Sequence, residues 1–384
     1  MYFTSAEVQN LDETGLIKFL EKRVPEGHHL DYKETLSGNN DRAKREFLKD
    51  VTAFANANGG DILIGVEEPQ ESLEVDAQIH GVDDGGAVAQ DLERLASSSI
   101  DSRIPGLQIK PLPLRNGKHV IVVHVPPSNS RPFRVDHSGY VNFFIRHSES
   151  IFPMRTDEIR EAVLASVSSE ARVKEYLNRM ETDAAQYLAK GQPAFLLQAM
   201  PLIPPDHSWD VLSQEFLAVI RDSADERRQK FQHPLDSSVK PTPTIDGVKG
   251  RDSRDDPNWI TEVHRNGYIS AVDLKPLDEV DLSTEKRFCL SKYHCDLFQS
   301  FAQFCTEIWQ AGRTDAPYVF RCRFLGAKGI YLYARSLSQR FYGPWERPTI
   351  EFPDQIRQVG EELGPIAEKW CLDLFHAFGL DGPV

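Results

Sequence analysis

The sequence predicts an α+β fold, and three observations carry that expectation. A capped amphipathic helix over about 41–57 stops at Gly59-Gly60 and leads directly into the apolar run Ile62 to Val66. The turn Arg115-Asn-Gly117-Lys joins two strand-like segments, Leu107 to Leu114 and His119 to Val125, as a hairpin. These follow a helical pattern at about 86–99 without the one-for-one alternation of a doubly wound sheet, so a mixed sheet with helices is expected. With 384 residues the chain is long enough for two cores, and we expect two domains, 1–168 and 169–384, the second also α+β but of unassigned type.

Each element has a local reason. Residues 11–23 predict a short helix with Leu16, Phe19 and Leu20 inward. Leu30 to Lys33 alternates with period two, placing Leu30 and Tyr32 on one side and Asp31 and Lys33 on the other. Asn40 or Asp41 caps the next helix, in which Phe47, Leu48, Val51, Phe54 and Ala55 recur at helical spacing. Its other side carries Arg42, Arg45 and Lys49 at i, i+3, i+7, a solvated face with Glu46 and Asp50 or a stripe for phosphates. Tyr140 to Arg146 reads as a strand, and a helix after Thr156 closes the first domain near 168.

Beyond it, 171–190 reads as helix, Phe195 to Pro201 as strand, and the Pro, Asp and Ser-rich stretch 231–258 as a long loop. Ile260 to Leu274 is a hairpin about Asn266-Gly267. Helical patterns at about 285–311 and 353–378 flank a further hairpin, Tyr318 to Phe324 with Ile330 to Ala334. There is no repeat of fixed period.

Composition excludes several classes. No apolar run approaches the roughly 18–20 residues that span a bilayer, so no membrane partner is expected. The start Met-Tyr-Phe-Thr-Ser lacks the pattern of a secretory signal, and a cytoplasmic location is expected. The net charge of −14, spread over both halves, excludes a broad basic coat for nucleic acid and leaves local contact. The five cysteines, Cys289 to Cys371, are odd in number without a Cys-x-x-Cys pair, and read as reduced core residues. The spacing of Cys289, His294 and Cys295 fits no zinc pattern.

The chemistry concentrates near the N-terminus. Glu26, Asp31 and the Glu67-Glu68 pair are carboxylates for a hard cation, Mg²⁺ or Mn²⁺, and Lys33 shares the Asp31 face. Among 58 acidic residues such a group also reads as surface ion pairing. Arg131, Arg134, His137, Arg146, His147 and Arg155 interleave with Phe133, Tyr140, Phe143 and Phe144. That pattern suits phosphates beside splayed bases, or equally a core with a charged rim. His29, on the Asp31 side, is a candidate for proton transfer. Gly59-Gly60 lacks a Gly-x-x-x-x-Gly-Lys-Ser/Thr context, so shaping the turn explains the pair better than holding ATP.

The run from Glu26 to Glu68, with Ala53-Phe-Ala-Asn56-x-x-Gly59-Gly60 and Gly65-Val-Glu-Glu68, resembles the AlbA-type domain of the Schlafen family. Gly139-Tyr140 to Arg146, then Thr156 to Ile159, resembles the end of that domain; the likeness covers roughly 20–165. It implies a nucleic-acid-binding α+β domain of the kind found in bacterial proteins and in animal endoribonucleases that use metal ions on transfer and ribosomal RNA. The three family carboxylates fall on Glu26, Asp31 and Glu68 and the family lysine on Lys33, with Asp for Glu at 31 and Glu for Asp at 68. The binding residues would be Arg42, Arg45, Lys49, Arg131, Arg134 and Arg146. The animal proteins use two such lobes, and a homodimer would supply the second. A non-catalytic DNA- or RNA-binding regulator is the rival expectation. A metal-dependent DNA nuclease is another, because Asp31-x-Lys33 also resembles the acid-x-Lys pair of restriction-type enzymes. The later region resembles the C-terminal part of some bacterial Schlafen-type proteins, which implies no activity.

Overall fold

The computed structural model describes residues 2–35, 40–70, 74–185, 192–205, 208–222, 225–231, 235, 239–276, 278–281, 286–334 and 340–382. Its contacts group the chain into two compact units. The first holds Met1–Ser169 with Asp315–Pro317 and Gln358–Gly360; the second holds the rest.

The first unit is built on a mixed four-stranded sheet of β1 (Leu30–Lys33), β2 (Gly60–Ile64), β4 (Gln108–Pro113) and β5 (His119–Val125), ordered β1-β2-β5-β4. The β1–β2 pair is parallel and the other two are antiparallel. Both faces are apolar because neighbouring residues along each strand serve different cores. Leu30, Tyr32, Leu63, Val120 and Val122 pack with Leu16, Phe19 and Leu20. Ile62, Ile64, Ile121 and Val123 pack with Phe47, Val51, Phe54 and Leu92. The first core is closed by α1 (Ser5–Asn10) and α2 (Glu13–Leu20). The helix expected over 11–23 is α2, with Leu16, Phe19 and Leu20 inward as expected; α1 before it is additional, and Asp12 separates the two by accepting the Gly15 amide as the cap of α2.

The second core is closed by α3 (Asp41–Asn56) and α5 (Gly85–Ser99), after the short α4 (Val75–Gln78). Asn40 caps α3 by accepting the Ala43 amide. Gly59 follows with φ +76°, a conformation that disfavours any Cβ, and a Cβ on Gly60 would lie 2.4 Å from the Phe54 ring. The pair ends a helix and lets it lie against a strand.

A second sheet covers the far side of α3. Its order is β3-β6-β7-β8: β3 (Ile100–Asp101), β6 (Arg134–His137), β7 (Tyr140–His147) and β8 (Ser150–Pro153). Of these, the sequence had indicated β7 alone; the others are two to four residues long, too short for a periodic signal. After β8 comes α6 (Thr156–Ala184), one continuous helix of 29 residues. It joins the two helices expected on either side of 168–171, where no Gly or Pro interrupts the helical pattern.

The second unit is likewise α+β. An eight-stranded sheet centres on Ala194–Pro201, flanked by Ile269–Asp273 and Tyr318–Leu325. Several expectations need correction here. The stretch read as a loop over 231–258 contains the strands Thr242–Pro243 and Gly247–Arg251. Tyr318–Leu325 and Tyr331–Ala334 do not pair with one another: the first is buried along almost its whole length between Ala194–Pro201 on one edge and the short strands Thr349–Glu351 and Gln355–Arg357 on the other, and the second lies in a four-stranded sheet beside Lys286–Leu290. The two helices start later than expected, at Ser291 and Gly364. Cys295 and Cys371 are joined as a disulfide, which ties those two helices together, whereas Cys289, Cys305 and Cys322 are free and buried as expected. No described helix is long and apolar enough to cross a membrane.

Candidate nucleic-acid interface and acidic cluster

The period-two alternation of β1 sends Asp31 and Lys33 to the α3 side of the sheet, beneath the helix, so Asp31 is only 3% exposed. Lys33 Nζ lies 2.6 Å from Asp31 Oδ2 and 3.4 Å from Asp50 Oδ2. Arg146 reaches Asp31 from β7, with Nη2 at 3.5 Å from Oδ1. The same guanidinium donates to the carbonyls of Gly27 at 2.8 Å and Ser148 at 3.1 Å and lies 4.7 Å from the centre of the Phe54 ring. Two cations, Lys33 and Arg146, therefore face two buried carboxylates, Asp31 and Asp50.

Glu26 and Glu68 stand at the edge of this cluster. A Glu26 oxygen accepts the Tyr32 amide at 3.1 Å, and Glu68 Oε1 accepts the Glu26 amide at 3.0 Å. Burial pushes the Glu26 carboxyl above its ordinary range; the Tyr32 amide opposes this, and repulsion from Asp31 and Glu68 adds to it. Burial pulls Lys33 down, yet Asp50 and Asp31 more than offset it, so its ammonium is held charged.

Asp50 is the residue that sequence reasoning misplaced. Read as part of the solvated α3 face, it is 6% exposed. Burial pushes its carboxyl up to about 6, with attraction from Lys33 opposing and repulsion from Asp31 reinforcing. The signal was present, because Asp50 sits three residues after Phe47 and four before Phe54, within the inward stripe.

These groups do not form a metal site as they stand. Asp31 is engaged by Lys33 and Arg146, Glu26 and Glu68 accept backbone amides, and no three His, Cys, Asp or Glu among the described residues are placed to hold one ion. A divalent cation needs carboxylate oxygens turned to a common point, and here they turn to protein donors.

The expected binding residues divide. Arg42 is exposed near the start of α3, without an ion-pair or hydrogen-bond partner among the described residues. Arg45 lies 5.3 Å from the Tyr140 ring, which stacks on Phe144 at 6.1 Å. The other four have partners within the chain, two of them in ion pairs at the surface. Lys49 pairs with Glu46 at 3.0 Å, Arg131 donates to the Ala57 carbonyl at 2.7 Å, and Arg134 pairs with Asp101 at 2.9 Å. Arg146 is 3% exposed, so it braces the fold and does not present itself to a ligand. Among the interleaved aromatics Phe133 and Phe144 are core, while Tyr140 is half-buried beside Arg45. His29 places Nδ1 3.0 Å from the Gly59 carbonyl oxygen.

Residues 26–155 match the family model Schlafen, AlbA_2. The Schlafen AlbA_2 match begins at Glu26 and ends at Arg155, so it contains the acidic cluster, α3, and both sheets of the first unit. The resemblance read from Glu26 to Glu68 is borne out over that span. A solved structure, the N-terminal domain of a RecG-related protein from Nitrosomonas europaea, is similar over 34% of this chain and 84% of its own, with 20% identity and a TM-score of 0.25. No curated protein matches the chain.

Proposed function

We propose that the first unit binds nucleic acid, RNA with unpaired bases foremost, where the first turns of α3 meet β7. The observation that carries this is the Arg45–Tyr140–Phe144 stack beside exposed Arg42. It offers a phosphate a pair of guanidinium groups and a splayed base an aromatic edge at one place. The Schlafen AlbA_2 match over 26–155 supports the same class of partner, with transfer or ribosomal RNA as the natural probes. The net charge of −14 makes the contact local, so few phosphates are neutralised and log affinity falls with log salt by only about 0.7 for each phosphate contacted. The test is fluorescence anisotropy with transfer RNA, single-stranded RNA, single-stranded DNA and duplex DNA, for the wild type and for Arg42→Ala with Arg45→Ala. Failure of every probe to bind at low salt sinks the proposal.

A second reading is metal-dependent endoribonuclease activity with Mg²⁺ or Mn²⁺ at Glu26, Asp31 and Glu68, Lys33 alongside. The Glu68 hydrogen bond to the Glu26 amide favours it, since it keeps two of the three carboxylates together across 42 residues of sequence. This reading requires Asp31 to exchange Lys33 and Arg146 for the ion. Incubating the bound RNA with Mn²⁺, Mg²⁺ or chelator decides it: cleavage that needs metal and is lost in Glu26→Gln supports it, and intact RNA under all three conditions leaves a binding protein. A second lobe supplied by a homodimer belongs to the same reading, and light scattering with and without RNA tests it.

A further inference from the structure

On the opposite side of β6 from the Arg45 stack, α5 and the connection from β3 to β4 border a half-open hollow of about 220 Å³. Its chemistry follows from helical spacing. Glu93, Ser97 and Ile100 fall at i, i+4 and i+7 and so turn one face to it, with Ala96 beside them, and Arg103, Ile104, Leu107 and Ile109 complete the wall. Ile100, Ile104 and Ile109 are buried and form an apolar floor. Glu93 and Arg103 are exposed at the rim, and among the described residues neither has an ion-pair or hydrogen-bond partner. Two opposite charges thus line one small hollow of mixed polarity without pairing, an arrangement complementary to a flat ligand with hydrogen-bond donors on one edge and an anion on the other.

We propose that this hollow takes a nucleotide base, guanine in preference to the others, with its phosphate on Arg103; the inference rests on the nucleic-acid reading above. Guanine presents two adjacent N–H donors on its Watson–Crick edge, which match both oxygens of the Glu93 carboxylate, whereas adenine and cytosine offer one amino group there and uracil a single N–H. Ser97, one turn along the same face, is the additional polar group. The floor of isoleucines covers the base, and the phosphate meets the guanidinium. Its position suits one strand serving both places. Ile100 pairs with Val135, and His137, two residues along the same strand, pairs with Tyr140, so two strand spacings and that offset, roughly 12 Å in all, separate the backbone at the hollow from that at the stack. Ser99 Oγ lies 3.0 Å from His137 Nδ1, which ties the end of α5 to the same strand.

The test is calorimetric titration of the full chain with the 5′-monophosphates of guanosine, adenosine, cytidine and uridine, for the wild type, Glu93→Gln and Arg103→Ala. The side chains are exposed, so circular dichroism should show both variants folded. The expected result is guanosine monophosphate binding about tenfold more tightly than uridine monophosphate, the scale of one bidentate base contact. Glu93→Gln should remove that preference, and Arg103→Ala should weaken all four nucleotides alike. Equal binding of the four, no binding, or variants indistinguishable from the wild type overturns the proposal. Oligonucleotide binding that persists in that case, and weakens in Arg42→Ala, leaves the nucleic-acid reading standing without the hollow. Guanosine monophosphate binding without oligonucleotide binding leaves the hollow without that reading.

Discussion

Asn56, the last residue of α3, holds Phe133 by both of its backbone groups. Its Oδ1 accepts the Phe133 amide at 2.6 Å, and its Nδ2 donates to the Phe133 carbonyl at 2.8 Å and to the Phe144 carbonyl, also at 2.8 Å. One buried side-chain amide thus stitches the helix to both β7 and the residue that enters β6. Asn56→Ala would leave three buried backbone groups unpaired. We expect a loss of about 3 kcal/mol, from a range of roughly 1–3 kcal/mol for each unpaired group less what water recovers. Urea denaturation measures it, and a loss below about 1 kcal/mol would show that the stitch is dispensable.

The Asp50 carboxyl gives the first unit a pH dependence of definite sign. Its folded-state value is about 6 against a usual 3.8, so the folded protein binds the proton more tightly than the unfolded chain. Stability from this group is therefore greatest below the unfolded value and declines as pH rises from about 4 to about 6. Asp50→Asn should flatten that decline and raise stability at pH 7 by about 2 kcal/mol, reduced from the full linkage value because Lys33 loses a partner. Denaturation midpoints measured from pH 4 to 8 for both proteins check this; parallel curves would refute it.

His124 works in the opposite direction and in another window. It is buried between Asp61 at 2.7 Å and Asp315 at 3.0 Å, and the first unit includes both. Burial lowers its affinity for the proton, but hydrogen bonds and attraction from the two carboxylates outweigh this and push it up to about 9. Its stabilisation is complete below the usual imidazole value of about 6.5 and is lost as pH rises through about 9. His124→Gln should remove about 3 kcal/mol at pH 6 and little at pH 10. The Asp61 carboxylate also accepts the Tyr2 and Phe3 amides, so proteolysis of the N-terminal segment should quicken in the variant.

What the sequence made legible follows period and punctuation. The alternation in β1 placed Asp31 and Lys33 together, and Asn40 with Gly59 marked both ends of α3. Alternation could not show that the second face of β1 is covered as well, because that depends on Asp50 and Arg146 arriving from α3 and β7. A stripe of basic residues likewise states spacing and not neighbours. Arg131 and Arg134 look equivalent to Arg42 in sequence until the Ala57 carbonyl and Asp101 are brought beside them. The pairing of Tyr318–Leu325 was missed because a strand buried on both faces fits several neighbours equally well in sequence.

The separation of bracing arginines from exposed ones gives the sharpest test of the interface. Arg45→Ala removes a guanidinium from the Tyr140 ring at a half-buried surface, and Arg42→Ala removes an exposed one, so neither should shift stability by more than about 1 kcal/mol. Each should lower affinity for single-stranded RNA and reduce the slope of log affinity against log salt by about 0.7, the value for one phosphate contact on a single strand. Arg146→Ala should do the reverse. It leaves Asp31 buried with Lys33 alone and frees the carbonyls of Gly27 and Ser148, a loss of about 3 kcal/mol or more. Under conditions where the variant remains folded, its salt slope should equal that of the wild type. If Arg146→Ala instead changes the slope while Arg42→Ala and Arg45→Ala do not, the binding surface lies over β1 and the acidic cluster, and the α3 site is wrong.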